Sequence, residues 1–306
     1  MGTPDFAVPA LKRLLAGPDS ISAVVTQPDR PRGRGRKTVP SPVKKVAADA
    51  GITVLQPARV REPEFLDRMK TLAPDLFVVA AFGQILPQEL LDVPRIMPIN
   101  IHGSLLPALR GAAPVQWAIL RGLRETGITI MKMDKGMDTG DILLQEAFPL
   151  TGEETGGSLF EKMAVTGGRL LIQALDLLEK GRLQAVRQPE DGITLAPPIG
   201  KEMFHIDWTM PTDEINRRIR AFDPSPGCWT EWNGQRIRLY APFTVNMPNP
   251  PDTEPGTVLS LRNDGIVIAS GDGTVGVREI QYPGKRRMSC ADFLRGRKLE
   301  PGEKFS

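Results

Sequence analysis

The sequence is poor in the side chains that thiol and metal chemistry need: its 306 residues include two cysteines, Cys228 and Cys290, and two histidines, His102 and His205. Two thiols cannot build a disulfide framework, and a zinc site would need all four residues at spacings that no zinc motif uses. A metal-free protein of a reducing compartment, the cytoplasm, is expected. No apolar run approaches the roughly 18 residues of a membrane span, and the first residues lack a basic segment followed by an apolar one. Neither export nor membrane insertion is expected. Disorder is excluded by a composition of 41% apolar and 25% charged residues, which is ordinary for a globular chain. Glycine and proline, 30 and 29 residues, fall short of the roughly 25–30% that marks low complexity and point to many loops. A net charge of +3 is too small to name a partner, so the placement of the charge matters more than its sum.

Short apolar runs, Ile21 to Thr26, Ile52 to Leu55 and Leu76 to Ala81, alternate with helical segments near Ala7 to Leu15, Pro42 to Ala50 and Glu62 to Leu72. That rhythm predicts βαβ units and a parallel sheet covered on both faces. Leu159, Met163, Leu170, Leu171, Ala174, Leu175 and Leu178 lie near helical spacing and predict a long helix that closes this domain. The pattern stops near Gln184, and Leu195-Ala-Pro-Pro-Ile-Gly-Lys201 reads as a linker. After a helix near Thr212 to Ala221 the chain turns β-like, with turn signals at Asn263-Asp264-Gly265 and Gly271-Asp272-Gly273. The expected plan is an α/β domain over 1–183, a linker over 184–202 and a small, mostly β domain, a barrel, over 203–306.

Several motifs are absent or misleading. Gly271, Gly273 and Gly276 match a dinucleotide-binding fingerprint, but they fall between two strands where the fingerprint needs a strand and then a helix. Gly33-Arg-Gly-Arg-Lys37 lacks the ending of a phosphate-binding P-loop. A hydrolase with Ser104 as nucleophile lacks the G-x-S-x-G elbow, since Leu106 stands where glycine belongs.

What is present is local. Asp29-Arg30-Pro31-Arg32-Gly33-Arg34-Gly35-Arg36-Lys37 carries four arginines and a lysine without an apolar residue. A solvated loop is the plain reading, yet arginine alternating with glycine makes a strip of guanidinium forks suited to phosphates. Lys285-Arg286-Arg287, with Arg295, Arg297 and Lys298, forms a second basic cluster, and two such surfaces suit an extended polyanion. In Pro98-Ile-Asn100-Ile-His102-Gly-Ser104, Asn100 and His102 project to one side of an extended strand that ends at Gly103. Alone, His102 would be an ordinary hydrogen-bonded residue; beside Asn100 at a strand end it becomes a candidate site. The loop Asp134-Lys-Gly-Met-Asp138-Thr-Gly-Asp141 can bring a carboxylate to His102 from a neighbouring strand end. Spacing does not choose among Asp134, Asp138 and Asp141.

Taken in order, these segments resemble the methionyl-tRNA formyltransferases, within the 10-formyltetrahydrofolate-dependent formyltransferases. The resemblance rests on Gly2-Thr-Pro-Asp-Phe-Ala-Val8, Thr26-Gln-Pro-Asp29, Ser41-Pro-Val43, Ala81-Phe-Gly-Gln-Ile-Leu-Pro87, Asn100-Ile-His102, Ser104-Leu-Leu-Pro107, Arg110-Gly111 and Met137-Asp-Thr-Gly-Asp-Ile142. It continues through Ile206-Asp-Trp208, Ile219-Arg-Ala-Phe222, Pro226-Gly227 and Met288 to Gly296. It implies a Rossmann-like catalytic domain over 1–183, a mostly parallel sheet with helices on both faces, that carries Asn100, His102 and Asp138 as the catalytic group, followed by a small OB-like β-barrel domain over 203–306 that helps hold tRNA. It implies 10-formyltetrahydrofolate as formyl donor, held near Phe82, Gln84, Ile85, Leu86, Ser104, Leu105, Leu106, Pro107 and Asp134. Charged initiator tRNA is the implied acceptor, approached by Arg30, Arg32, Arg34, Arg36 and Lys37, with Lys201, Lys285, Arg286 and Arg287 completing the basic surface.

That chemistry suits the residues. Amide formation needs the free amine, whose reference pKa of about 7.7–8.0 leaves it partly protonated at neutral pH. His102 can pass that proton toward the departing folate nitrogen, and the Asn100 amide can hydrogen-bond the tetrahedral oxyanion. Two departures from the family pattern stand out. Met1 directly precedes Gly2, where relatives carry a short apolar strand, so a gap in the sheet with unpaired backbone is expected. Pro198 stands where relatives usually carry a basic residue, leaving Lys201 as the nearby cation. Leu106-Pro107 is a candidate cis bond, and a monomer is expected. The competing readings are a formyltransferase for a small-molecule amine and a noncatalytic RNA-binding relative.

Overall fold

The computed structural model describes residues 1–32, 37–245 and 247–306. The chain divides into two compact units, one of Met1–Pro114, Glu125–Pro149 and Phe160–Pro197, the other of Val115–Arg124, Leu150–Leu159 and Pro198–Ser306.

In the first unit the apolar runs become strands and the amphipathic stretches become helices. Val24–Val25 pairs in parallel with Val54–Leu55, and Leu76–Val79 in parallel with Met97–His102. Helix Pro42–Asp49 links the first pair; Ser41 opens it by accepting from the Lys44 amide at 3.0 Å, with proline at the first helical position. Phe77 and Val79 on one side of the sheet pack in one core with Phe65, Leu66 and Met69 of helix Pro63–Leu72. Ile101 points to the other side, toward helix Gly156–Glu179. There a Cβ on Gly167 would lie 2.7 Å from Ile101 Cγ2, and one on Gly168 would lie 3.0 Å from the backbone of Ala10. Two consecutive residues without side chains therefore let helix, strand and neighbouring helix approach closely.

The sheet is Rossmann-like, as expected, but its far edge is antiparallel. Glu125–Lys132 runs against Met97–His102, and Ile142–Pro149 runs against Glu125–Lys132. Periodicity reports which side chains are buried and carries no sign of strand direction. The basic stretch also departs from an open loop: Arg30–Arg32 and Lys37–Val39 pair as an antiparallel ribbon. Arg34 and Arg36 lie outside the described residues.

The first residues of the chain cross between the Val24–Val25 pair and the four-stranded sheet. The Met1 amine donates to Val78 O at 2.6 Å, Ala80 N donates to Met1 O at 2.9 Å, and Gly2 N donates to Val25 O at 3.0 Å. Beside this crossing lies a cavity of about 450 Å³ lined by Leu14, Ile21, Val24, Met69, Phe77 and Val78, among others. Of the Ile21 to Thr26 run, Val24–Val25 alone is strand.

The second unit is an antiparallel sheet in which Cys228–Trp232, Gln235–Thr244, Thr274–Gln281, Gly265–Ala269 and Val258–Arg262 are successive neighbours, with Met288–Ser289 against Thr274–Gln281. The two end strands are joined by the last residues: Ser306 and Glu231 exchange backbone hydrogen bonds, Val258 N donates to Glu303 O, and Phe305 N donates to Gly256 O. This is the OB-like barrel expected, with its final side made by short irregular chain. Gly271 and Gly273 lie in the turn between Gly265–Ala269 and Thr274–Gln281, and a Cβ on Gly276 would strike the Phe243 ring at 2.3 Å. The apparent fingerprint is thus a hairpin with one close ring contact.

Arg287 belongs to this fold. Its guanidinium meets Asp223 through two bonds of 2.6 and 3.1 Å, bonds Glu279, and lies over the Tyr240 ring at 4.2 Å. Burial disfavours its charge, but the bonds to Asp223 and Glu279 outweigh burial and hold it above the ordinary arginine range. It serves the fold as a structural cation; Lys285 and Arg286 beside it are exposed.

Two predictions follow from this packing. Gly167→Val forces side-chain volume against Ile101 and should lower stability by about 1–3 kcal/mol, read as a lower midpoint in a denaturant melt. Arg287→Ala should cost about 2–3 kcal/mol, the low side of the range for a broken buried pair because the arginine is partly exposed. In the same melt Arg286→Ala should stay within about 0.5 kcal/mol of the parent.

Candidate active site

Asn100 and His102 sit in the last half of strand Met97–His102, where Ile99 and Ile101 alternate with them and anchor the opposite face. Asn100 lies between Val79 and Met131 in the ladder and is half-buried; His102 pairs with Thr129 and is 5% exposed. Each nitrogen of the His102 ring faces one oxygen. Nε2 is 3.0 Å from Leu109 O, an atom that can only accept, so Nε2 carries a hydrogen. Nδ1 lies 3.6 Å from Asp138 Oδ2. In the neutral ring Nδ1 is therefore the proton-accepting atom, and a proton taken up there faces a carboxylate.

The structure thus selects Asp138 among the three candidate acids. Asp134 instead accepts from Gly136 N at 3.0 Å and from Thr139 Oγ1 at 2.7 Å, closing its own loop at the surface. The route to His102 differs from the expected one. Because Glu125–Lys132 is antiparallel, its end faces Ile99, and Met133 N donates to Pro98 O at 2.9 Å. The loop leaves the sheet three residues short of His102, roughly 10 Å along the strand, and must fold back. Asp138 makes that return with φ of +54°, and its Oδ2 accepts from Gly111 N at 2.9 Å.

The turn after His102 is fixed from the adjacent strands. Thr129 Oγ1 donates to Ser104 O at 2.7 Å and accepts from Leu106 N at 3.1 Å, and Gln145 Nε2 donates to Leu106 O at 2.8 Å. Leu106-Pro107 is cis, as expected. Ser104 is 1% exposed and donates its hydroxyl to Ala108 O at 2.6 Å, while His102 turns to Leu109. No nucleophile–base pair exists between them, which removes the hydrolase reading. Burial pushes both cysteine thiols up to about 12, so neither Cys228 nor Cys290 is a nucleophile at neutral pH.

The residues expected near the folate divide by exposure. Phe82 and Leu86 are buried in the core of the first unit, and Leu106 and Ser104 are also buried, so their side chains serve the fold and at most their backbone faces a ligand. Gln84 accepts from Val60 N at 2.9 Å, tying this loop to the chain before helix Pro63–Leu72. Ile85 is 92% exposed, an isolated apolar side chain beside that anchored loop; Leu105 and Pro107 are half-buried and Asp134 is exposed. Arg30 and Lys201 are exposed as well.

Sequence reasoning missed the chain that holds this site. Residues expected to be free linker are stitched to it: Val186 and Ile142 exchange backbone bonds, Leu195–Ala196 pairs in parallel with Arg110–Gly111, and Thr194 Oγ1 accepts from Leu109 N at 2.9 Å. Gln188, 5% exposed, bonds Arg110, Asp138 and Gly140. A lone glutamine in a stretch without periodicity gives no signal of this. Among the described residues no group of three or more His, Cys, Asp or Glu is placed to hold a metal ion, and no helix is long and apolar enough to cross a membrane.

Comparison with known proteins places the chain in a family. Residues 1–175 match the model of the family described as formyl transferase, and 198–298 that of the formyl transferase C-terminal domain. The methionyl-tRNA formyltransferase of Desulfotalea psychrophila is 47% identical over 299 residues, 98% of this chain and 92% of that protein. That of Marinobacter nauticus is 46% identical over 307 residues, 100% of this chain and 98% of its own. Among solved structures, the N-formyltransferase from Helicobacter canadensis in complex with folinic acid and dTDP-3-aminofucose superposes with a TM-score of 0.64 at 18% identity, over 90% of this chain and 96% of that one, a likeness of fold alone. With identity of this level running through both units, the chain belongs to the methionyl-tRNA formyltransferase family.

Proposed function

We propose that this chain transfers the formyl group of 10-formyltetrahydrofolate to the methionyl amino group of charged initiator tRNA, acting as a monomer in the cytoplasm during translation initiation. The observation that carries the reading is the placement of Asp138, and neither other acid of its loop, against His102 on the strand that also bears Asn100. Identity of 42–47% to proteins of that name across the chain supplies the substrates.

Catalysis is assigned to residues 1–183 and tRNA holding to 203–306. The amine attacks the formyl carbon, and the tetrahedral oxyanion accepts a hydrogen bond from the Asn100 amide. His102 takes the ammonium proton at Nδ1, opposite Asp138. As the intermediate collapses, the carbon–nitrogen bond to the folate breaks and the proton passes to that nitrogen. Ile85, Leu105 and Pro107 offer apolar contact to the folate, and the backbone around Ser104 and Leu106 offers polar contact. Arg30, Arg32, Arg34, Arg36, Lys37, Lys201, Lys285 and Arg286 supply the phosphate contacts.

The direct test supplies labelled 10-formyltetrahydrofolate with charged initiator tRNA and glycinamide ribonucleotide as competing acceptor. Label in the tRNA is expected; label in the small amine alone would overturn the assignment in favour of a small-molecule formyltransferase. His102→Ala should lower turnover by about 10²–10⁴-fold and Asn100→Ala by about 10²–10³-fold, measured as initial rates at saturating folate. Neutralising Arg30, Arg32, Arg34, Arg36 and Lys37 together should weaken tRNA binding and flatten the plot of log affinity against log salt. An unchanged slope in that titration would remove these residues from the interface.

A further inference from the structure

We infer that Gln188 is a positioning residue for the formyl transfer proposed above, acting by holding the Asp138 loop in its folded-back course against His102. The argument starts from a requirement. Asp138 has φ of +54° and Leu109, whose carbonyl faces His102 Nε2, has φ of +59°. Side chains other than glycine avoid this left-handed region, so both partners of the imidazole sit on backbone that must be held from outside.

Gln188 supplies the hold on the Asp138 side. Its Nε2 donates to Asp138 O at 2.8 Å and to Gly140 O at 2.7 Å, bridging the two carbonyls that flank the return of the loop. Its Oε1 accepts from Arg110 Nε at 3.1 Å and Nη2 at 2.7 Å. The residue after Arg110 is Gly111, whose amide donates to the Asp138 carboxylate at 2.9 Å. The path from Gln188 to Asp138, through its side chain to Gly111, and by Arg110 back to Gln188 is a closed ring. Chemistry fixes the orientation of the glutamine amide: carbonyls only accept and arginine only donates, so the nitrogen end must face Asp138 and Gly140. Every hydrogen-bonding position of the amide is filled at a site 5% exposed.

The same segment also serves the other partner of the imidazole, since Thr194 Oγ1 accepts from Leu109 N at 2.9 Å. Six residues therefore separate the side chain that holds the Asp138 loop from the one that holds Leu109. Gln188 touches no reacting atom; it acts through Asp138. Glutamate cannot take its place, because a carboxylate keeps the contact with Arg110 but turns oxygen toward two carbonyls.

The test is a double-mutant cycle on the full chain. Gln188→Ala, Gln188→Glu, Asp138→Asn and the two combinations of Gln188 variant with Asp138→Asn are assayed for formyl transfer, with tRNA affinity and thermal melts measured on each. A misplacement of about 1 Å costs on the order of 10²-fold in rate, so each Gln188 variant should lose about 10–100-fold in kcat. KM for tRNA should stay within about 2-fold and melting should remain cooperative. In the Asp138→Asn background the Gln188 substitutions should cost less than about 3-fold more, as expected of groups acting through one another. Unchanged kcat in both single variants, full additivity with Asp138→Asn, or loss of cooperative melting in both variants would each overturn the inference, the last by making Gln188 a scaffold residue. Wild-type turnover is the reference: a wild type that labels only a small amine counts against the acceptor assignment, and the same cycle is then run with that amine.

Discussion

The site depends on one constraint, the return of the 133–141 loop along a strand it has already passed. Antiparallel pairing places the end of Glu125–Lys132 at Ile99, while the imidazole that needs a carboxylate is three residues away at His102. Everything around Asp138 answers that displacement. The Gly111 amide donates to its carboxylate, the Gln188 side-chain amide donates to its carbonyl, and Lys132 and Asp141 close the base of the loop with a backbone bond of 2.9 Å. A parallel strand would have delivered an acid at the right end without this bracing.

Polar residues in this unit therefore carry more of the architecture than composition suggests. Thr129 joins the turn after His102 to the sheet by donating and accepting at one hydroxyl, and Gln145 adds a second support from the next strand. Thr129 is fully buried, so its removal would leave Ser104 O and Leu106 N without water to replace it. Rigidity at the imidazole thus comes from hydrogen bonds between segments distant in sequence, and the apolar alternation of Ile99 and Ile101 fixes the strand that carries it.

What was legible in the sequence was local. The run Leu76 to Ala81, the helix near Pro42 to Ala50 and the pairing of Asn100 with His102 on one strand face all follow from short-range periodicity. Family resemblance added Asp138, which spacing had left level with Asp134 and Asp141. Strand direction, the return of the loop and the role of Gln188 were not legible, because each is set by a partner 25 to 50 residues away: Gln188 reaches Asp138 across 50 positions and Thr129 reaches Ser104 across 25. The structural part that Arg287 plays was hidden for a related reason. Its neighbours in sequence are solvated cations, but its partner Asp223 is 64 positions distant and buried.

Replacing Asp134, Asp138 and Asp141 one at a time by asparagine, and comparing kcat for formyl transfer to charged initiator tRNA across the three, addresses the central claim directly. The account predicts a fall of about 10²-fold or more in Asp138→Asn alone, with the other two within about 3-fold of the parent. An Asp138→Asn enzyme as fast as the parent, or an equal fall at Asp134 or Asp141, would contradict it.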